Sequence, residues 1–224
     1  MIAIRQPLAI VAAAASLFAA AGTAHASLIL NGSFEDNSAS ANVWSPTNAV
    51  FNGYMHNVTA FGVREGVDIQ TFGSGYGPDP IDGKWKVAPA SDAGGTSEEF
   101  SMTLSAPLVV GQAYSLGFYL ARQISYPFDG GTVEIGLSAS ATSFGTYLTS
   151  ATVPDSGWLW ATSNFLAPTA GSYLTVRVKN DRSGWVALDD FELNPLSPVP
   201  EPQTAALLLA GLGLVGVVAR RRQR

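Results

Sequence analysis

The chain has 224 residues, a formal net charge of −5 and no cysteine, so thiol catalysis, disulfides and Cys-type zinc sites are excluded. Between residues 27 and 198 the balance is more acidic, 7 Lys and Arg against 16 Asp and Glu for a net of −9. That surface is a poor match for nucleic-acid phosphates and for anionic lipid headgroups.

Residues 1–26 read as a secretory signal. Arg5 supplies the positive charge, Leu8 to Ala20 the apolar stretch, and Ala24-His25-Ala26 the small-x-small cleavage pattern, with cleavage expected after Ala26. About 170 residues remain before the tail, enough for one domain with its own core.

The body, expected over 27–193, opens with Asn31-Gly32-Ser33-Phe34-Glu35. Residues 37–57 are irregular and mix Trp44, Phe51 and Tyr54 with polar residues. Gly73 to Pro80, "GSGYGPDP", shows no apolar alternation and reads as a long surface loop. "DGKWKVA" follows at Asp82 to Ala88. Period-two alternation then recurs in four series: Phe100, Met102 and Leu104; Tyr114, Leu116, Phe118 and Leu120; Val133, Ile135 and Leu137; Leu174, Val176 and Val178. Half-buried strands produce that pattern. Turn signals separate the runs at Asn52-Gly53, Asp82-Gly83, Gly94-Gly95, Gly111, Asp129-Gly130-Gly131 and Ser183-Gly184. No stretch has a helical period, so the prediction is an all-β sandwich or barrel.

The body closes on Leu188-Asp189-Asp190-Phe191-Glu192-Leu193. Val186 and Leu188 put one face of that strand inward, whereas Phe191 and Leu193 put the other, so the inward face must switch near Asp189-Asp190, as at a bulge. Residues 194–198 read as a proline-rich linker.

The tail, 199–224, begins Val199-Pro200-Glu201-Pro202. The 17 uncharged residues 203–219 sit at the lower limit for a bilayer-spanning helix, and Arg220, Arg221, Arg222 and Arg224 follow at 220–224. The arginine cluster keeps that end in the cytoplasm and the body outside. Pro-Glu-Pro, apolar helix and arginine cluster in this order resemble the PEP-CTERM sorting signal of Gram-negative bacteria. The resemblance implies passage through the export machinery, transient inner-membrane anchoring and processing by an exosortase. Release to the cell surface or extracellular matrix follows.

Opening on "NGSFE" and closing on "LDDFEL", with "DGKWKVA" and "GQAYSLGFYLA" between, the body resembles the galactose-binding-like jelly-roll domains, several carbohydrate-binding modules among them. The resemblance implies a jelly-roll β-sandwich. It also implies a structural calcium shared by a Glu of the opening motif and an Asp of the closing one, here Glu35 and Asp189 or Asp190. Alternation does not choose between the two aspartates.

Enzyme chemistry finds few parts. His56 is the one histidine beyond the signal segment, and no Gly-x-Ser-x-Gly elbow is present. His56 is expected at the surface or in a structural role. A glycosidase needs two carboxylates about 5–10 Å apart across a cleft; Glu98-Glu99 and Glu134 offer acids with no second feature beside them. The body therefore reads as non-catalytic. Sugar binding needs exposed aromatic faces, for which Trp44 and Tyr76 in irregular segments, and Trp158 and Trp160 on one side of a strand, are the candidates. Trp85 and Trp185 are expected in the core. A surface or matrix protein engaging extracellular polysaccharide is the leading reading. A purely structural matrix protein with protein–protein contacts is the alternative, and a secreted glycoside hydrolase comes third.

Overall fold

The computed structural model describes residues 26–92, 94–123, 131–179 and 184–196. The signal segment up to His25, the end of the linker, the tail with its 203–219 span, and the Asp129-Gly130 turn lie outside the described residues. Among the described residues no helix is long and apolar enough to cross a membrane.

The alternating series become strands. In chain order the strands are β1 (Val58–Ala60), β2 (Asp68–Thr71), β3 (Trp85–Ala88), β4 (Ala90–Ser91), β5 (Glu99–Thr103) and β6 (Ala113–Arg122). Then come β7 (Thr132–Ser138), β8 (Thr146–Thr152), β9 (Trp158–Leu166), β10 (Tyr173–Lys179) and β11 (Gly184–Pro195), the four series falling on β5, β6, β7 and β10. They form two antiparallel sheets ordered β1-β5-β10-β7-β8 and β2-β3-β11-β6-β9, with β4 added to β11. The result is an all-β sandwich. Every residue of the four apolar series is buried in the core between the sheets, because a one-residue slip of any strand would turn its whole apolar set to water.

The two short motifs meet at one end of the sandwich. The Leu28 amide donates to the Leu193 carbonyl, and the Phe191 amide to the Gly32 carbonyl at 2.9 Å. A Cβ at Gly32 would overlap the Phe191 carbonyl, so the backbone approach itself demands glycine. Phe34 and Phe191 meet edge-on with centroids 6.0 Å apart, and Phe191 stacks on Phe118 at 4.8 Å. The predicted bulge is present: the β11–β6 register shifts between Asp189 and Glu192, and Asp190 has φ +50.

Three expectations are corrected. Asn52-Gly53 is no turn, and Tyr54 is not in a loop; both belong to a short helix, α1 (Asn48–Tyr54). The Thr47 hydroxyl caps it at the Val50 amide, and the Asn52 side chain bonds both the amide and the carbonyl of Ala60. With Phe51 alone buried on it, the helix leaves no periodic pattern to read. The linker starts later than 194, because β11 continues to Pro195 and the Leu196 amide still bonds the Ala113 carbonyl. Pro195 is tolerated because β3 meets β11 at Leu188, leaving Pro195 a partner strand on one side only. Trp185 is half-buried outside the core, with the Arg64 guanidinium 5.9 Å from its ring centroid, whereas Trp85 is in the core as expected.

Candidate functional site

The strand registers fix which side chains leave the core on the second sheet. Leu188 faces inward opposite Val87, so Lys86 and Ala88 of β3 point outward. Asp68 and Gln70 of β2 share that outer face, as do Asp189 of β11, Tyr119 of β6, and Trp158 and Trp160 of β9. All four aromatic candidates from the sequence lie at this face, in two groups.

One group is at the β2 edge. Val43 bridges Ile69, and the Ser45 amide donates to Asp68 at 2.6 Å, which sets Trp44 beside β2. Tyr76 packs edge-on against Trp44, centroids 5.1 Å apart, and both are more than 40 % exposed. The second group is at the β9 edge. Tyr119 lies between Trp158 and Trp160, at 6.4 and 4.6 Å. Trp160 leans over Gly117, where any Cβ would collide with the indole. Tyr119 is missed by the sequence reading, although it was legible there as an aromatic out of phase with the inward series of its strand.

Between the two aromatic groups lies a polar floor. Gln123 donates to Gln70 at 2.9 Å, and Gln70 to Asp68 at 3.2 Å. Lys86 is fully buried, and its ammonium donates to the carbonyls of Tyr76 and Pro78. Asp189 is also fully buried; it accepts from the amides of Ile81 at 2.8 Å, Asp82 at 3.3 Å and Asp190 at 2.8 Å. The Trp158 indole N–H donates to the Asp79 carbonyl at 2.9 Å. Segment 72–82 therefore passes over the floor from one aromatic group to the other. A cleft of about 490 Å³ opens beside it, lined by Gly77, Pro78, Arg122 and residues 155–157; that volume falls within the usual range of ligand pockets. Burial dominates the proton equilibria. It pushes Asp189 up to about 7 against its three amides, Asp68 up to about 6, and the Lys86 ammonium down to about 8.

Of the predicted calcium residues, Asp189 parts from Glu35 and Asp190. Glu35 accepts from the amides of Lys84 at 2.7 Å and Trp85 at 2.6 Å, and so secures the turn through Gly83. Both oxygens of Asp189 are taken up by backbone amides, and Asp189 does not line the acidic groove. Asp190 does, with Glu35, Asp36, Asp82 and Glu192 around a space of about 350 Å³. Burial, then Glu192 and Asp82, push Asp190 upward. Among the described residues no three acidic or histidine side chains close around a single point. An ion there would rely on backbone carbonyls and water beside Glu35 and Asp190, a donor set of the kind calcium takes.

The other acids are engaged locally. Glu98 is buried and pushed up to about 7 by burial; it accepts from Arg64 at 3.0 Å and from the Ala90 amide at 2.8 Å. Glu134 pairs with Arg177 at 2.7 Å and with Lys179 at 3.8 Å. His56 is at the surface, 2.6 Å from Asp36.

A family model described as the PEP-CTERM protein-sorting motif matches residues 198–223, in agreement with the reading of the tail. No curated protein matches the chain. Among solved structures, a cyclase from Fischerella sp. TAU in complex with 4-(1H-indol-3-yl)butan-2-one is similar at 15% identity and TM-score 0.51, over 78% of this chain and 100% of that one. The CBM22-1 xylan-binding domain of Paenibacillus barcinonensis Xyn10C aligns at 14% identity and TM-score 0.45, over 79% of this chain and 99% of that one. At these identities the likeness is one of fold.

Proposed function

We propose that this is an exported protein, sorted to the cell surface or matrix through its tail by an exosortase-type enzyme, whose sandwich is a non-catalytic module for extracellular polysaccharide. The observation that carries the binding reading is the outer face of the second sheet, with aromatic groups at both edges and a hydrogen-bonding floor between them. Sugar rings present C–H faces that stack on indole and phenol rings, and hydroxyls that can pair with Arg122 and residues 155–157 of the open cleft, and with the buried floor wherever segment 72–82 uncovers it. The test is calorimetric titration of the purified full-length chain with a panel of soluble polysaccharides. One of them should bind saturably with no product released. Trp160→Ala and Trp44→Ala should each weaken binding at least about tenfold, or about 1.4 kcal/mol. Unchanged affinity in both variants would remove the aromatic face from the site, and release of reducing ends would move the protein to the hydrolases.

The structural-matrix reading has one observation in its favour. β9 is an edge strand of nine residues that exposes Leu159, Trp160 and Leu166, the kind of edge on which another chain can pair. A folded protein that binds no polymer but associates with itself would favour it.

Calcium is retained as a proposal for the groove between Glu35 and Asp190, supported by the mutual repulsion of the acids there. With saturating calcium after chelation the melting temperature should rise, by about 2–4 °C per kcal/mol of binding. The rise should disappear in Asp190→Asn and in Glu35→Ala. A shift that survives both substitutions would place the ion elsewhere.

A further inference from the structure

The outer face carries charge where a sheet surface beneath a loop should not. Lys86, Asp189 and Gln70 are fully buried, and Asp68 and Gln123 are nearly so. What covers them is mostly glycine-rich backbone, with Pro80 as its buried apolar residue. The hydrogen bonds from segment 72–82 to the floor are made by the segment's main chain, through the carbonyls of Tyr76, Pro78 and Asp79 and the amides of Ile81 and Asp82. The Asp79 carboxylate attracts the Lys86 ammonium through space. Its side chains contribute little to holding it down. Phe72 and Tyr76 are exposed, Pro80 is buried, and nothing surrounds Gly73 or Gly75 within 4 Å of where a Cβ would be. Few buried apolar contacts mark the segments of a fold that open at the lowest free energy.

The ties are also chemically replaceable. The Lys86 ammonium and the Trp158 indole N–H each point at carbonyl oxygens, and hydroxyl oxygens of a polyol offer the same acceptor chemistry. Opening also takes the Ile81 and Asp82 amides from Asp189, but a hydroxyl donates as well as accepts. Exchange of the segment for such a ligand can therefore leave neither the two donors nor the carboxyl unpaired, which removes the main penalty for uncovering them. The segment also leans on both aromatic groups, through Tyr76 on Trp44 and through the Asp79 carbonyl on Trp158. A sugar chain lying across the face from Trp160 to Trp44 must cross it.

We infer that segment 72–82 is a strap that opens, and that the floor beneath it is the covered half of the binding site, with Lys86 and Trp158 as donors to a hydroxyl-rich chain. The ligand class rests on the polysaccharide reading above; the opening does not. Amine acylation of the folded full-length chain, read by peptide mass spectrometry, tests the two apart. Lys84 is exposed and serves as the internal reference. Lys86 should react more slowly than Lys84, yet at least about 100-fold faster than exchange of the core amides of β11 allows. Tyr76→Gly, which frees the strap from Trp44, should speed the reaction at Lys86 several-fold. In the binding assay Lys86→Met should lower affinity about tenfold. Reaction of Lys86 only at the rate of global unfolding overturns the strap. Polysaccharide bound equally well by Lys86→Met overturns the floor as part of the site. Opening without any polysaccharide binding supports the strap and overturns the polysaccharide reading instead.

Discussion

Between about pH 5 and pH 8 the domain is expected to lose stability as the solution becomes more alkaline, opposite to the usual acid-labile pattern. Asp189 and Glu98 are pushed up to about 7 and Asp68 to about 6, in each case mainly by burial. All three are nearly or wholly inaccessible in the fold, but in the unfolded chain they would titrate near the ordinary carboxylate values of about 4. From there up to their raised values the folded state holds protons that the unfolded state has released. Their contribution is therefore complete below about pH 4 and is lost as pH rises through 6 to 7. A tenfold change in proton affinity is worth about 1.4 kcal/mol, so the three together should make pH 5 more stable than pH 8 by roughly 3–6 kcal/mol. The acidic body, with its net charge of −9, adds self-repulsion of the same sign at higher pH. Lys86, lowered to about 8 by burial, works the other way above that point: the neutral amine is easier to bury, and stability recovers towards pH 10. Thermal unfolding across this range, in chelator to remove any calcium effect, should show a minimum near pH 8. Glu98→Gln should flatten the acid side of the curve. A melting temperature that is constant or rises from pH 5 to 8 would show that these carboxyls are ionised in the fold.

Phe191→Ala should be the most damaging single truncation at the junction of the two terminal motifs, at about 3–5 kcal/mol. Phe191 is 2% exposed, stacks on Phe118 with an interplanar angle of 5°, and meets Phe34 at 82°. Phe34 in turn meets Phe100 of the opposite sheet at 6.0 Å, so the ring cluster ties both sheets to the first and last segments of the body. Removing the phenyl group leaves a cavity that the flanking backbone cannot fill, because the Phe191 amide and carbonyl are held against Gly32. For a body of this size the loss corresponds to a melting temperature lower by about 6–20 °C. Phe191→Leu, which keeps most of the volume, should cost less than half as much, at about 1–2 kcal/mol. Equal losses for both substitutions would mean that ring geometry, and not volume, is what the junction needs.

Several levels of this molecule are legible in residue order alone. Alternation at Phe100 to Leu104, Tyr114 to Leu120, Val133 to Leu137 and Leu174 to Val178 specifies strands with their inward faces, because a strand has a fixed period of two. The bulge at Asp189-Asp190 was legible for the same reason: two apolar sets in opposite phase on one strand cannot both face inward without an extra residue. The motif in the tail, carried by Pro200-Glu201-Pro202 and the arginines, is local by nature and needs no fold to be read. Exposure of Trp44 and Tyr76, and the shared face of Trp158 and Trp160, also follow from local pattern.

Other features depend on which segments the fold brings together. Helix α1 rests on a single buried ring and on an Asn52 side chain that bonds a strand eight residues on, and such contacts leave no period. Asp189 and Asp190 are adjacent and identical in type. Only the approach of the 81–82 amides, 107 and 108 residues distant, makes one a buried acceptor, while the neighbouring groove takes the other. The floor is the clearest case. Asp68, Gln70, Lys86, Gln123 and Asp189 come from three strands and the end of a fourth, and none is unusual in its own segment. Sheet order places them side by side, and a glycine-rich loop excludes water from them. Sequence by itself therefore determined the alternating strands, their inward faces and the sorting tail, since each is set by neighbours in the chain. The placing of the aromatic groups at two edges of one face, and the buried charge between them, was decided only by the tertiary structure, because burial and pairing are properties of what lies across space.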